Sequence, residues 1–337
     1  MSTTMLAVVK EKPGPGIAVK QIPVPETPKD EVKIKVIYGS ICGTDIGIYD
    51  WTPWVASHLQ PPIVIGHEVV GEIVEINGEA PHLKIGDLVS SETHIFDDTC
   101  IQCKKGNQHI CEHVQFFGYG RSGGFSEYAT IPIRTTWKND PRIPVKAMSV
   151  QEPLGNAVHG VKKGNVSGKS VLVVGLGPVG LCCAAAANAY GATGVTAIDP
   201  SEYRRKLAES FTDVKTAEKL GEKEFGTFDV VLEASGVQPG LQAALDAVRI
   251  AGTIVAIGIP KKAVTFDWGK YIIDKELTIE SIFGRRIWET WHQTTELITS
   301  GKIDLAKIIT HEFPLKDFEQ AMDLMRKGEC GKILLKI

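Results

Sequence analysis

The sequence lacks a long uninterrupted apolar run, a surplus of charge of either sign, a basic leader and an even number of cysteines. Its longest hydrophobic stretch, Val171 to Ala187, is broken by Gly175, Gly177, Pro178 and Gly180. It falls short of the roughly 20 apolar residues a membrane helix needs, so no membrane segment is expected. Against 37 Lys and Arg stand 40 Asp and Glu, a net charge of −3, which leaves no footprint of a nucleic-acid or membrane-surface binder. A small uncharged or zwitterionic ligand fits better. The first ten residues hold no basic region followed by an apolar stretch, so neither signal nor transit peptide is expected and the protein is expected to be cytoplasmic. Seven cysteines cannot all pair, and Cys100, Cys103 and Cys111 crowd into a short span, which in a reducing compartment favours metal thiolates over disulfides.

Internal repeats and low-complexity tracts are absent too, and what remains is ordinary globular material. At 337 residues the chain is long enough for two domains of about 100–200 residues, each with its own core. A composition of 43% hydrophobic and 23% charged residues excludes wholesale disorder and fibrous architectures.

The organisation changes near the middle. From Leu6 to about Ile133 short β-prone runs, Val32–Ile37, Val69–Ile76 and Asp87–Ser90, alternate apolar with polar residues between Gly and Pro, which predicts an antiparallel, barrel-like region. After it come continuous apolar strands, Val171–Val174, Val195–Ile198, Asp229–Leu232 and Thr253–Ile257, separated by helical stretches such as Leu181–Tyr190 and Tyr203–Ser210. That alternation predicts a doubly wound parallel sheet buried on both faces, an α/β fold. A helix over Trp288–Ser300, another over Phe318–Met325 and a final strand Lys332–Ile337 close the chain, which is expected to return to the first domain. The expected division is 1–155, completed by about 290–337, and 156–289.

Gly175-Leu-Gly177-Pro-Val179-Gly180 follows the first of these strands and opens a helix of small residues. The first glycine permits a tight turn, the second a close backbone approach to a pyrophosphate, the third close helix–strand packing, and the helix N-terminus faces the anion. Asp199, 19 residues after Gly180 at the end of the next strand, can accept hydrogen bonds from a ribose diol. A nucleotide-free glycine turn is the plainer alternative, but strand, loop, helix and acid stand in register. Asp199 favours NAD; Arg204 and Arg205 lie close enough to keep NADP open.

Two groups of residues have the chemistry of metal ligands. Cys42, with Thr44 and Asp45 beside it, precedes His67-Glu68 by 25 positions, and Glu152 lies further on. One thiolate, one imidazole and one or two carboxylates suit a tetrahedral Zn²⁺ with an exchangeable position, as catalysis requires, unless these side chains never meet. The second group, Asp97-x2-Cys100-x2-Cys103-x7-Cys111, has the short spacing with which one chain segment wraps a Zn²⁺, although a carboxylate in the first position is harder and less zinc-selective than a thiolate.

In this order the motifs resemble the zinc-dependent medium-chain alcohol dehydrogenases. The resembling stretches are Ile41-Cys-Gly-Thr-Asp45, Ile48-Tyr-Asp-Trp-Thr-Pro-Trp54, Ile65-Gly-His-Glu68, Ser91-Glu-Thr-His-Ile95, Gln151-Glu-Pro-Leu-Gly-Asn-Ala-Val158, Glu289-Thr-Trp291, Ile309-Thr-His311 and Cys330-Gly-Lys-Ile333. The likeness is greatest to the branch that oxidises L-threonine at C3. It implies a GroES-like β-rich catalytic domain, a Rossmann NAD-binding domain and a homotetramer. It further implies that Cys42, His67 and Glu68 are the catalytic zinc ligands, with Glu152 an exchanging ligand or part of the proton path, Thr44 an inner proton relay and Asp45 the orienter of a ligand histidine. Asp97, Cys100, Cys103 and Cys111 fall on structural-zinc positions. Val179, Asp199 and Arg204 resemble adenosine and pyrophosphate contacts, and Ile257-Gly258-Ile259 with Ile282-Phe283 resemble the nicotinamide lining.

Two positions depart from that pattern. Asp97 replaces a cysteine, which puts the lobe's zinc in doubt. Gly47 stands where the family has a proton-relaying histidine, so either water or another histidine takes the proton, His94 and His58 being candidates, or the substrate differs from threonine. Threonine's two charges would be met by His94, Glu152 or the pair Arg285-Arg286. The rival readings are a polyol or sugar-alcohol dehydrogenase on the same scaffold and, more remotely, a catalytically silent dinucleotide-binding protein.

Overall fold

A computed structural model of the chain describes residues 3–337. Two compact units are formed: one runs to Glu152 and resumes over Ile309–Ile337, and the other is Pro153–Ile308.

The first unit is organised around strand Glu31–Ser40, which pairs antiparallel with Val69–Asn77, with Tyr128–Pro132 and with Lys332–Lys336. Val69–Asn77 in turn pairs with Leu88–Ser91, which pairs with Thr136–Lys138. Val32, Ile34 and Val36 alternate inward and pack with Val69, Ile73, Phe117, Phe125 and Ile131, the buried face that the sequence alternation calls for. One pairing departs from the expected antiparallel pattern: Ile309–Pro314 runs parallel to Lys332–Lys336. The helix Phe318–Lys327 lies between them in sequence, and a helical crossover returns the chain to its starting end, so the two strands must point the same way.

The second unit carries a six-stranded, wholly parallel sheet in the spatial order Lys215–Ala217, Gly194–Ile198, Ser170–Val174, Phe228–Glu233, Val248–Ala256, Thr278–Ser281. The order reverses direction between Ser170–Val174 and Phe228–Glu233. In a doubly wound sheet that reversal opens a crevice at the carboxyl ends of the strands, where ligands bind. Val171–Val174 is fully buried, as is Gly180–Ala187 of the helix Pro178–Ala189 packed on it, which accounts for the unbroken apolar run in the sequence. Among the described residues no helix is long and apolar enough to cross a membrane.

Candidate functional site

Strand register explains how Cys42 meets His67. Gly39 is paired with Val69, and the Ser40 N–H donates to the Glu68 carbonyl at 2.8 Å, so the residues just past one strand and just before the other emerge at the same edge. There the Cys42 sulfur, a His67 ring nitrogen and a Glu68 carboxylate oxygen all lie within 4.8 Å of one another. Cys42 caps the helix Gly43–Asp50, with its own N–H bound by Asp45 Oδ2 at 2.8 Å, which fixes the thiol at the helix start.

The carboxylate of Glu68 is held by one oxygen only. Oε2 accepts from the Ser40 hydroxyl and from the buried ammonium of Lys332, which also donates to the Ile41 carbonyl at 3.2 Å, while Oε1 has no hydrogen-bond partner. Burial works against the Lys332 charge, but Glu68, Cys42 and Glu152 outweigh it and hold the pKa above the ordinary lysine value. Burial likewise acts to lower His67, yet the Cys42 thiolate, Asp45 and Glu152 carry it up to about 10. Burial raises the Asp45 carboxyl to about 6 against the pull of His67, whose Nδ1 stands 4.0 Å from Asp45 Oδ1. Glu68 Oε1 is orphaned, and a thiol, an imidazole and a carboxylate gathered this closely are a donor set that fits a divalent zinc ion.

The other residues singled out by sequence take varied places. Thr44 Oγ1 lies 3.8 Å from the Cys42 sulfur. Glu152 is outside the three-residue ligand group; its Oε1 accepts from the Thr93 hydroxyl at 3.3 Å, and its charge is felt at both His67 and Lys332. His94 is buried with Nδ1 donating to Glu92 Oε1 at 2.9 Å and its ring edge-on to Phe116. His58 is exposed and stacked on Trp54 with ring centroids 4.5 Å apart. A Cβ at buried Gly47 would come into ordinary contact with the side chains of Thr52 and Val55 at 3.5 Å. Arg285 corrects an expectation: only 1% exposed, it lies over Trp291 at 5.9 Å and donates to Asn156 Oδ1 at 3.3 Å, a packing arginine rather than one open to a substrate carboxylate. Arg286 is engaged with Glu289 at 3.0 Å. No role for Lys332 or Ser40 is readable from sequence: the lysine falls in a stretch that resembles the family, but it lies 264 residues from its partner and reads as an ordinary strand residue.

The second ligand group is a local coil of chain. Donor atoms of Asp97, Cys100, Cys103 and Cys111 lie within 4.8 Å of one another. Backbone N–H groups of Cys103 and Glu112 approach the Cys100 sulfur at 3.5 and 3.4 Å and lower its pKa to about 7. Burial and the neighbouring sulfurs push Cys103 up to about 12. Thiols packed this closely ionise together only around a cation, and the donors present suit zinc. The Thr99 hydroxyl and N–H hold the Asp97 carboxyl well below the usual carboxylate range.

In the second unit, Gly175 adopts φ +89° and a Cβ on Gly180 would fall 1.8 Å from the Gly175 carbonyl, so this turn closes only with glycine at its third position. Gly177 is the N-cap of Pro178–Ala189, leaving Val179 and its neighbours at the mouth of the crevice. Asp199 Oδ2 accepts from the Leu176 N–H at 2.7 Å and Oδ1 from the Ser201 N–H at 2.8 Å, which leaves two of its four lone-pair positions for a ribose. Arg204 Nη1 stands 3.7 Å from the same carboxylate. Ile257 and Gly258 donate backbone N–H groups to the Glu233 carbonyl, Ile257 and Ile282 approach Gly160, and Ile259 and Phe283 are exposed. Sequence reasoning missed Glu233, a buried carboxylate at the end of the strand on one side of Ser170–Val174, as Asp199 follows the strand on its other side; Glu233 accepts from the N–H groups of Ser235 and Gly236.

Residues 28–142 match the family model of the alcohol dehydrogenase GroES-like domain, and residues 178–300 match that of the zinc-binding dehydrogenases. The chain is 42% identical to an L-threonine 3-dehydrogenase of Pyrococcus horikoshii, with 100% of both chains covered. Among solved structures it is similar to 2R,3R-butanediol dehydrogenase from Bacillus subtilis, at a TM-score of 0.88 and 27% identity with 99% of each chain covered. It is also similar to an Escherichia coli alcohol dehydrogenase complexed with NADH, at a TM-score of 0.89 and 26% identity over 100% of each chain.

Proposed function

The chain belongs to the zinc-binding alcohol dehydrogenases with a GroES-like domain, and on that premise we propose that it oxidises the C3 hydroxyl of L-threonine, giving 2-amino-3-ketobutyrate and NADH. The observation that carries the reading is the grouping of Cys42, His67 and Glu68 in a chain aligned end to end with an L-threonine 3-dehydrogenase.

Cys42, His67 and Glu68 would hold zinc, with Glu152 as an exchanging ligand or proton acceptor. Zinc bound there supplies a Lewis acid that makes an alcohol hydroxyl acidic near neutral pH, and NAD accepts the hydride. The protein's own part is position and charge. Asp45 ties down the Cys42 backbone and faces His67, and Lys332 and Ser40 hold Glu68 through Oε2, which leaves Oε1 without a hydrogen-bond partner and open to a metal. Thr44 Oγ1, beside the thiolate, would receive the hydroxyl proton and pass it outward. Gly175, Gly177 and Gly180 would bring backbone to the pyrophosphate of a bound dinucleotide, and Asp199 would favour the unphosphorylated ribose of NAD.

A second reading, a polyol or sugar-alcohol dehydrogenase, draws support from glycine rather than histidine at position 47 and from the likeness to a butanediol dehydrogenase. NADH absorbance with purified protein, NAD and a panel of L-threonine, sorbitol and 2,3-butanediol tests both. Turnover highest on threonine supports the first, on a polyol the second, and none on any alcohol contradicts both.

We further read the protein as a cytoplasmic homotetramer. All seven cysteines are free thiols, which suits a reducing compartment. The edge strand Thr278–Ser281 leaves Ile279 47% exposed, with Trp268 and Ile273 exposed just before it, which supports pairing with another copy. Light scattering would give four times the chain mass.

A further inference from the structure

The thiol-rich lobe departs from a four-cysteine site at one position, and the structure is specific about what surrounds that departure. Asp97 Oδ1 points into the sulfur cluster, 3.3 Å from Cys111 Sγ and 4.0 Å from Cys103 Sγ. Its other oxygen, Oδ2, is turned away and held at 2.6 Å by the Thr99 hydroxyl and at 2.6 Å by Nδ1 of His113. A carboxylate only accepts, so the imidazole must donate through Nδ1. The backbone N–H of the same histidine donates to Cys111 Sγ at 3.4 Å. His113 therefore touches two members of the ligand group without belonging to it. The burial is lopsided: the three cysteines are buried, while the Asp97 side chain is 33% and that of His113 63% exposed.

We propose that His113, with Thr99, is the positioning residue that makes Asp97 an oxygen ligand, closing Cys100, Cys103 and Cys111 into a three-sulfur, one-oxygen site for a divalent zinc ion that exchanges on the Asp97–His113 side. A monodentate carboxylate on a mobile side chain is a poor substitute for a thiolate. Its rotation away from the metal is the easiest way for this site to open, and a clamp on the distal oxygen blocks that rotation. Hydrogen bonds of this kind to a ligand's far side are generally worth about 10–100-fold in metal affinity. The hydrogen bond from the His113 backbone to Cys111 is indifferent to the side chain, so substitution isolates the clamp.

The proposal rests on the lobe being a metal site, and its test separates the two claims. Zinc release from the full-length holoprotein to a chromophoric chelator is followed for the wild type and for His113→Ala, His113→Gln, Asp97→Cys and the double variant Asp97→Cys/His113→Ala; the lobe's phase is the one that Asp97→Cys slows. His113→Ala is expected to accelerate that phase about 10–100-fold, and His113→Gln, whose amide can donate to the same oxygen, to recover most of the loss. In the Asp97→Cys background the histidine should no longer matter. Cobalt substitution gives a second readout: the sulfur-to-metal charge-transfer band should strengthen on Asp97→Cys as a fourth thiolate joins, and should hold its intensity in His113→Gln. Equal release rates in wild type and His113→Ala, or the same acceleration with Cys at position 97, overturn the proposal. A lobe that takes up neither zinc nor cobalt overturns both the proposal and the lobe's metal reading.

Discussion

Cys42, His67 and Glu68 come together because two long strands end side by side, whereas Asp97, Cys100, Cys103 and Cys111 come together because one short segment coils on itself. The first group spends three ligand types and is backed by buried charge: Asp45 behind His67, Lys332 behind Glu68. The second spends three thiols and one carboxylate and is backed chiefly by backbone N–H groups, with His113 at its open side. A site assembled from distant strands inherits the rigidity of the sheet and can carry strained electrostatics, as chemistry needs. A site wrapped by a local coil stabilises the coil itself. The contrast predicts that the first group answers for turnover and the second for stability.

The largest expected effect that could break this contrast is Cys42→Ser. Turnover should fall by about a thousandfold or more, while NADH binding, read by fluorescence, is retained because its determinants lie around Gly175–Gly180 and Asp199. Undiminished activity would remove the first group from the reaction. Next comes Lys332→Met, which leaves Glu68 buried without its counter-charge. A loss of about 3–5 kcal/mol in urea denaturation is expected, and the double variant Lys332→Met/Glu68→Gln should recover much of it. A loss below about 1 kcal/mol would show that Lys332 does not secure the carboxylate.

Cys103→Ser sharpens the contrast from the other side. Metal analysis should drop from two zinc ions per chain to one, and the melting temperature should fall, with turnover at low temperature within about threefold of wild type. Parallel loss of both metals would mean that the two groups are not independent. The smallest effect is a titration. Hydrogen bonding to Asp97 raises His113 above its usual value of 6.5 in the metal-free lobe. The pair's contribution is therefore fully present below that pH and fades as pH rises through the raised value. Proton NMR of the His113 ring should show the raised pKa and its return toward 6.5 in Asp97→Asn.

How much of this was legible in the sequence follows from the same distinction. The glycine loop, Asp199 and the cysteine-rich segment were readable because their chemistry needs fixed local spacing, and local spacing survives folding. The parallel sheet was readable because strands buried on both faces lose their polar alternation. Cys42, His67 and Glu68 could be named as candidate ligands from their chemistry, but not their meeting, since that depends on the pairing of Gly39 with Val69, which no local pattern announces. The roles of Lys332, Ser40 and Glu233 were not readable. Each looks like an ordinary strand or loop residue until the fold puts it against a carboxylate or at a crevice. Arg285 failed in the opposite sense: a pair of arginines looks like an anion site until one of them is found buried over a tryptophan ring.

The account stands on zinc at Cys42, His67 and Glu68, and the most direct test is anomalous diffraction at the zinc edge from crystals of the purified protein. It predicts one peak within bonding distance of the Cys42 sulfur, a His67 nitrogen and Glu68 Oε1, and a second peak among the lobe's three sulfurs and Asp97 Oδ1. A fully active preparation with no peak at Cys42 would contradict it.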